Sequence, residues 1–363
     1  MDSITSSMTR AEIARTLGDG RLFSPGRDAL YAVDELMCGY RSDAPMQSLD
    51  ARLAAHVKAS GVPPRDVDDA IAQVVHDQGV DQAMRAFVAA SLAGGRHVAG
   101  VMGSSSTPRD APAYRLAAET AKALSEAGFL VATGGGLGIM EAGNLGAYFA
   151  GRASHELDAA IDHLRRCPIY RGHEAQYIDS ARSITAGLRA GAPSLAVATW
   201  RYDAEPISQF ATHIAKLFQN SVREDGLLSI ADGGVAYFEG GFGTLREIFQ
   251  DLAQNSSAPP VHQMAMVFVG TAEYGQPGSP FHLAQARARA AAPAFDDLIS
   301  LADSAEAVLA AMLAARGRSQ RVLARPSTTR NTGRTGENDQ GTRGRDAATS
   351  GPSYRTPAPR DSR

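Results

Sequence analysis

Three times along this chain a short apolar run ends in a turn of glycine and small polar residues. His97-Val-Ala-Gly-Val-Met102 runs into Gly103-Ser-Ser-Ser106. Phe129-Leu-Val-Ala-Thr133 runs into Gly134-Gly-Gly-Leu-Gly138, and a helix-like segment from Ile139 to Ala150 follows. Val235-Ala-Tyr-Phe238 runs into Glu239-Gly-Gly-Phe-Gly-Thr244, followed by a helix-like segment from Leu245 to Ala253. Short apolar runs bounded by turn signals read as buried strands. Strands that alternate with helices favour a parallel sheet covered on both faces. The expectation is an α/β chain with a Rossmann-like, doubly wound parallel sheet. In such a sheet the loops at the carboxyl ends of the strands share one crevice.

Those turns carry the candidate chemistry. A glycine turn between strand and helix lets backbone N–H groups approach a phosphate, and the helix N-terminus adds about half a positive charge. Gly240, Gly241 and Gly243 remove side chains that would block the approach. Thr244 offers a hydroxyl and is expected to cap the helix. Glu247 lies one helical turn further in, where a carboxylate reaches whatever the turn holds. Gly103, Ser104 and Ser105, with Gly134, Gly135 and Gly136, would complete a shared anion site. Each turn taken alone is equally a plain strand–helix connection.

Gly240-Gly-Phe-Gly-Thr-Leu-Arg-Glu247 resembles the PGGxGTxxE signature of the LONELY GUY family of phosphoribohydrolases, once described as lysine-decarboxylase-like. Gly134-Gly-Gly-Leu-Gly-Ile-Met140 resembles that family's GGGxxGLM turn, and Gly103-Ser-Ser105 its first-strand GSS. The order and approximate spacing agree over residues 95 to 310. The resemblance implies a Rossmann-like fold in a homo-oligomer, dimer or higher. It implies hydrolysis of nucleoside 5′-monophosphates to a free base and ribose 5-phosphate, with no metal or redox cofactor. It also implies a catalytic arginine on the helix before the last motif strand, and Arg223 is the match. Four features depart from the pattern. Glu239 replaces the leading proline, Arg246 stands where an acid is common, and Glu224 stands where a lysine follows the arginine. The turn Asp232-Gly-Gly234 carries one extra residue. The same fold serves non-catalytic carriers of nucleotide-like or molybdenum-cofactor-like ligands, and the departures keep that alternative open.

The proposed chemistry follows from the bond. Cleaving ribose from base develops positive charge on the sugar. A carboxylate stabilises that charge and activates water, which is the expected role of Glu247. Arg223 would hold the ligand through charge-assisted bonds.

Other classes are poorly served. A nicotinamide-binding G-x-G-x-x-G fails at Ile139. A P-loop needs a lysine after glycine, and none of Lys58, Lys122 and Lys216 follows one. His173-Glu-Ala-Gln-Tyr177 lacks the second histidine of a zinc motif. Cys38 and Cys167 form neither a disulfide framework nor a metal pattern, which fits a cytoplasmic setting. No apolar run approaches the roughly 20 residues of a membrane span.

The organisation expected is threefold: a helical N-terminal extension over 1–95, the nucleotide-binding domain over 96–315, and a disordered basic tail over 316–363. The extension shows helical spacing from Ser48 to Ser60, Asp66 to Val75 and Asp81 to Leu92. The tail holds 11 arginines against four acids, so its +7 leaves −10 for the rest of a chain of net charge −3. It has almost no large apolar residues with which to offset ordering entropy. It reads as a solubilising extension before a nucleic-acid contact.

Overall fold

The apolar runs become strands because both of their faces are closed to water. Val98–Met102 and Gly234–Phe238 are buried at every position, the pattern of a parallel sheet covered on both sides. The computed structural model describes residues 20–188, 191–202, 205–291 and 293–324, with backbone alone at 291, 294 and 319–324. The expected tail from 325 onward and the first 19 residues lie outside the described residues.

The seven-stranded sheet contains β1 (Val98–Met102), β2 (Leu130–Thr133), β3 (Ser194–Thr199), β4 (His213–Leu217), β5 (Gly234–Phe238), β6 (Met266–Val269) and β7 (Ile299–Ala302). Every pairing is parallel, in the order β4-β3-β2-β1-β5-β6-β7. The chain therefore lays β1 to β4 in one direction and returns to β1's other side with β5. That reversal is where loops diverge and a crevice opens.

The longer helices are α1 (Leu49–Ser60), α2 (Val67–Ala93), α3 (Pro112–Glu126), α4 (Ile139–Tyr148), α5 (Ser154–Leu164), α6 (Glu174–Ala186), α7 (Asn220–Ile230), α8 (Phe242–Ser257), α9 (Pro280–Ala291) and α10 (Ala305–Ala324). Several differ from the sequence expectation. The segment from Pro206 to Ser229, whose sequence reads as one long helix, is not one, because β4 occupies its middle. Lys216 interrupts the apolar pattern of that strand, yet it is buried in an ion pair with Asp50. The two helices expected on either side of Gly79 are one, α2. A mid-helix glycine costs about 1 kcal/mol, and buried Val80, Met84 and Val88 on the same helix offset it. The last helix continues nine residues past 315, through Ala324. Propagating an existing helix adds one hydrogen bond per residue fixed, and no proline interrupts it before Pro326.

The stretch between Ala150 and Ser194 forms α5 and α6, anchored by a buried cation. Arg109 donates from Nε and Nη2 to the Glu141 carboxylate at 2.8 and 2.6 Å, and from Nη1 to Ser180 Oγ at 2.9 Å. Tyr114 and Tyr177 donate to the same carboxylate. This network fixes the loop after β1 against both α4 and α6.

The N-terminal helices share the core of the sheet. Phe23, Val57, Val80 and Met84 belong to one hydrophobic cluster with the strands. Asp77 on α2 accepts the backbone N–H groups of Phe218 and Gln219 at 2.9 and 2.8 Å. Gln219 is the N-cap position of α7, so α2 fixes where α7 begins.

Candidate functional site

The loops after β1, β2, β3 and β5 enclose a cavity of about 620 Å³, within the roughly 300–1,000 Å³ of small-molecule sites. Gly103, Ser104, Ser105, Gly134, Gly135, Gly136, Gly241, Gly243, Thr244, Arg223 and Glu247 all line it. Of the candidates, Gly240 alone lies outside the lining. Two backbone bonds tie the loops together, from Ser104 N–H to Glu239 O at 3.1 Å and from Ile139 N–H to Ser104 O at 3.1 Å.

At the centre sit Arg223 and Glu247. The guanidinium donates from Nη1 to Glu247 Oε1 at 2.8 Å and from Nε to Val197 O at 2.9 Å. Both side chains are buried, at 9% and 8% exposure. α7 thus keeps a register that turns Arg223 into the crevice, despite the extra residue in the Asp232–Gly234 turn. That turn lies at the other end of β5, with Gly234 at φ +108°, where a side chain is strained. Burial pushes the Glu247 carboxyl above its ordinary value, and the Arg223 guanidinium opposes this. Gly134 is required by the same pair, since a Cβ there would meet Arg223 Nη2 at 2.0 Å.

The last glycine turn divides its labour. A Cβ on Gly240 would meet Thr244 Oγ1 at 2.0 Å, so Gly240 packs rather than faces the ligand space. A Cβ on Gly241 or Gly243 would meet nothing within 4 Å. Their missing side chains leave the mouth of the cavity open. Thr244 does not cap the helix. α8 begins at Phe242, earlier than the sequence pattern implies, so the cap position falls on Gly241, which has no side chain. Thr244 is the third helical residue and its hydroxyl lies over Gly240. The first-turn N–H groups of α8 therefore lack a side-chain cap at the cavity's edge.

Sequence reasoning missed several cavity residues. Arg171, between α5 and α6, lines it, as do Glu205, Lys216 and Phe242. Phe242 is 90% exposed. The signal of Arg171, Glu205 and Lys216 is weak because none sits in a motif and each arrives from a different element, while Phe242 fills the variable position of the Gly240–Glu247 motif. Among the described residues no group of three or more His, Cys, Asp or Glu is placed to hold a metal. Among the same residues no helix is long and apolar enough to cross a membrane.

Behind Glu247, Asp251 is buried and accepts Tyr237 O–H at 2.7 Å and Asn255 N–H at 2.9 Å. Burial raises its carboxyl from 3.8 to about 7, partly opposed by the Tyr237 hydrogen bond. The folded protein then holds a proton that the unfolded chain has lost. Stability from this group is full below about pH 4 and falls as pH rises toward 7, by an amount on the order of a few kcal/mol. Asp251→Asn is expected to flatten that slope, measured by denaturant unfolding at pH 5 and pH 8. An unchanged slope would assign the pH dependence elsewhere.

No protein-family model and no curated protein matches the chain. Solved structures do resemble it. One is a molybdenum cofactor binding protein from the phototrophic bacterium Rippkaea orientalis, 14% identical, covering 60% of this chain and 96% of that one, with a TM-score of 0.36. A second is the molybdenum cofactor carrier protein of Chlamydomonas reinhardtii, 17% identical, covering 61% and 99%, with a TM-score of 0.36. A third is the protein TM1055, 16% identical, covering 60% and 99%, with a TM-score of 0.35. Similarities of this strength bear on neither activity nor ligand.

Proposed function

We propose that this chain is a nucleoside 5′-monophosphate N-glycosidase, a phosphoribohydrolase that releases a free base and ribose 5-phosphate. The observation that carries the reading is the buried Arg223–Glu247 pair, 2.8 Å apart, in one cavity with three glycine turns. The first turn of α8 and Ser104 and Ser105 receive the 5′-phosphate. Arg223 holds the ribose side of the ligand. As the N-glycosidic bond breaks, its electron pair leaves with the base, and the Glu247 carboxylate stabilises the cationic sugar. Water then adds to the anomeric carbon and yields its proton to Glu247. Burial pushes the Glu247 carboxyl up, and the Arg223 guanidinium opposes that push.

Two departures from the LONELY GUY pattern support the reading, because they occur together. Glu224 stands where that family has a lysine and Arg246 where an acid is common, and here the two side chains form an ion pair. The charges at these positions are exchanged rather than lost. The same resemblance carries the expectation of a homo-oligomer, while the two cysteines carry that of a cytoplasmic setting, and composition and periodicity that of an N-terminal extension, a nucleotide-binding domain and a basic tail.

The phosphate assignment predicts that 5′-monophosphates are strongly preferred over nucleosides. Loss of about two charge-assisted hydrogen bonds lowers kcat/KM by about 10²-fold. Equal processing of adenosine and its monophosphate would remove the Gly241–Thr244 turn from phosphate binding.

A further inference from the structure

We infer that Lys216 is the group that donates to the departing base, and that Asp50 of the N-terminal helices holds it in place. This rests on the N-glycosidase reading above and assigns the half of the reaction that Glu247 leaves unserved. Lys216 lies on β4, its side chain 2% exposed, and it lines the same cavity as Glu247 and Arg223. Its register partner is Ala198, the neighbour of Val197, whose carbonyl receives Arg223 Nε. The lysine and the arginine therefore meet the crevice at adjacent positions of β3.

The ammonium forms an ion pair with Asp50 Oδ1 at 2.5 Å. Asp50 is itself fixed, accepting Trp200 Nε1–H at 2.8 Å and Ile207 N–H at 3.1 Å. An ammonium has three donors, and among the described residues its ion-pair partner is Asp50. Its place in the cavity lining puts a bound ligand within reach of the remaining donors. The charges also suit the transition state. Glu247 stands for the cationic sugar, and Lys216 supplies positive charge for the base that leaves with the bonding electrons. A proton on Nζ passes to the base as that bond breaks. The proton that Glu247 takes from water returns to solvent, and Lys216 is recharged from solvent.

The test uses full-length protein and two substrates, guanosine 5′-monophosphate and its 7-methyl derivative. The 7-methyl base is already cationic and departs neutral, without a proton donor. Lys216→Met is expected to lower kcat on guanosine 5′-monophosphate by about 10²-fold or more, and on the 7-methyl substrate by less than about 10-fold. Removing one partner of a buried pair can unfold a protein. The double variant Asp50→Asn with Lys216→Met removes both charges and makes the same comparison. An equal loss on both substrates, or no loss on either, overturns the assignment while leaving the N-glycosidase reading intact. A wild-type protein inert toward these substrates and toward every other purine and pyrimidine nucleoside 5′-monophosphate overturns that reading and this one together.

Discussion

Arg223→Ala is expected to abolish most hydrolysis, with kcat reduced by at least about 10²-fold. The substitution removes two things at once. The ribose side of the ligand loses a planar, multi-donor partner. Glu247 loses the cation that opposes its burial, so its carboxyl rises further. Arg223→Lys should recover little. The guanidinium reaches Val197 O through Nε and Glu247 through Nη1 in a fixed plane, and an ammonium cannot reproduce that fork. Because the two residues act as a unit, Arg223→Ala combined with Glu247→Gln should lose little more than either alone. Steady-state kinetics on the three variants checks this, and losses that multiply would show that the residues act independently.

Glu247→Gln is expected to cut turnover by about 10²-fold or more while nucleotide affinity stays near wild type. Glutamine keeps an oxygen able to accept from Arg223 Nη1, so the packing of the pair survives. The negative charge facing the sugar is lost, and with it the base for water. The wild-type pH profile should show the same group. Burial raises the Glu247 carboxyl, so activity falls as pH drops through that raised value, and the acidic limb should vanish with the glutamine. Near-normal turnover in this variant would remove Glu247 from the mechanism.

How much of this was legible depended on how local each feature is. β1, β2, β3, β5 and β6 were readable, β3 from Ser194-Leu-Ala-Val-Ala-Thr-Trp200 and β6 from Met264-Ala-Met-Val-Phe-Val269, because a strand buried on both faces is a continuous apolar run. The glycine turns were readable because turn chemistry is written in adjacent residues. β4 was hidden by Lys216, whose charge is neutralised by a residue 166 positions away in sequence, Asp50. β7 was hidden because Ile299-Ser-Leu-Ala302 carries a buried hydroxyl, Ser300, at its second position. The Arg223–Glu247 contact follows from motif positions once α7 keeps its register, and that register is set by Asp77 from α2. Lys216 and Arg171 reach the cavity through long-range packing, which no local pattern encodes.

The most direct measurement incubates the full-length protein with a panel of purine and pyrimidine nucleoside 5′-monophosphates and quantifies products over time. The account predicts free base and ribose 5-phosphate in equal amounts from at least one member, with base released from the matching nucleoside about 10²-fold less efficiently. A protein that binds these nucleotides yet releases neither product would contradict catalysis and leave a carrier in its place.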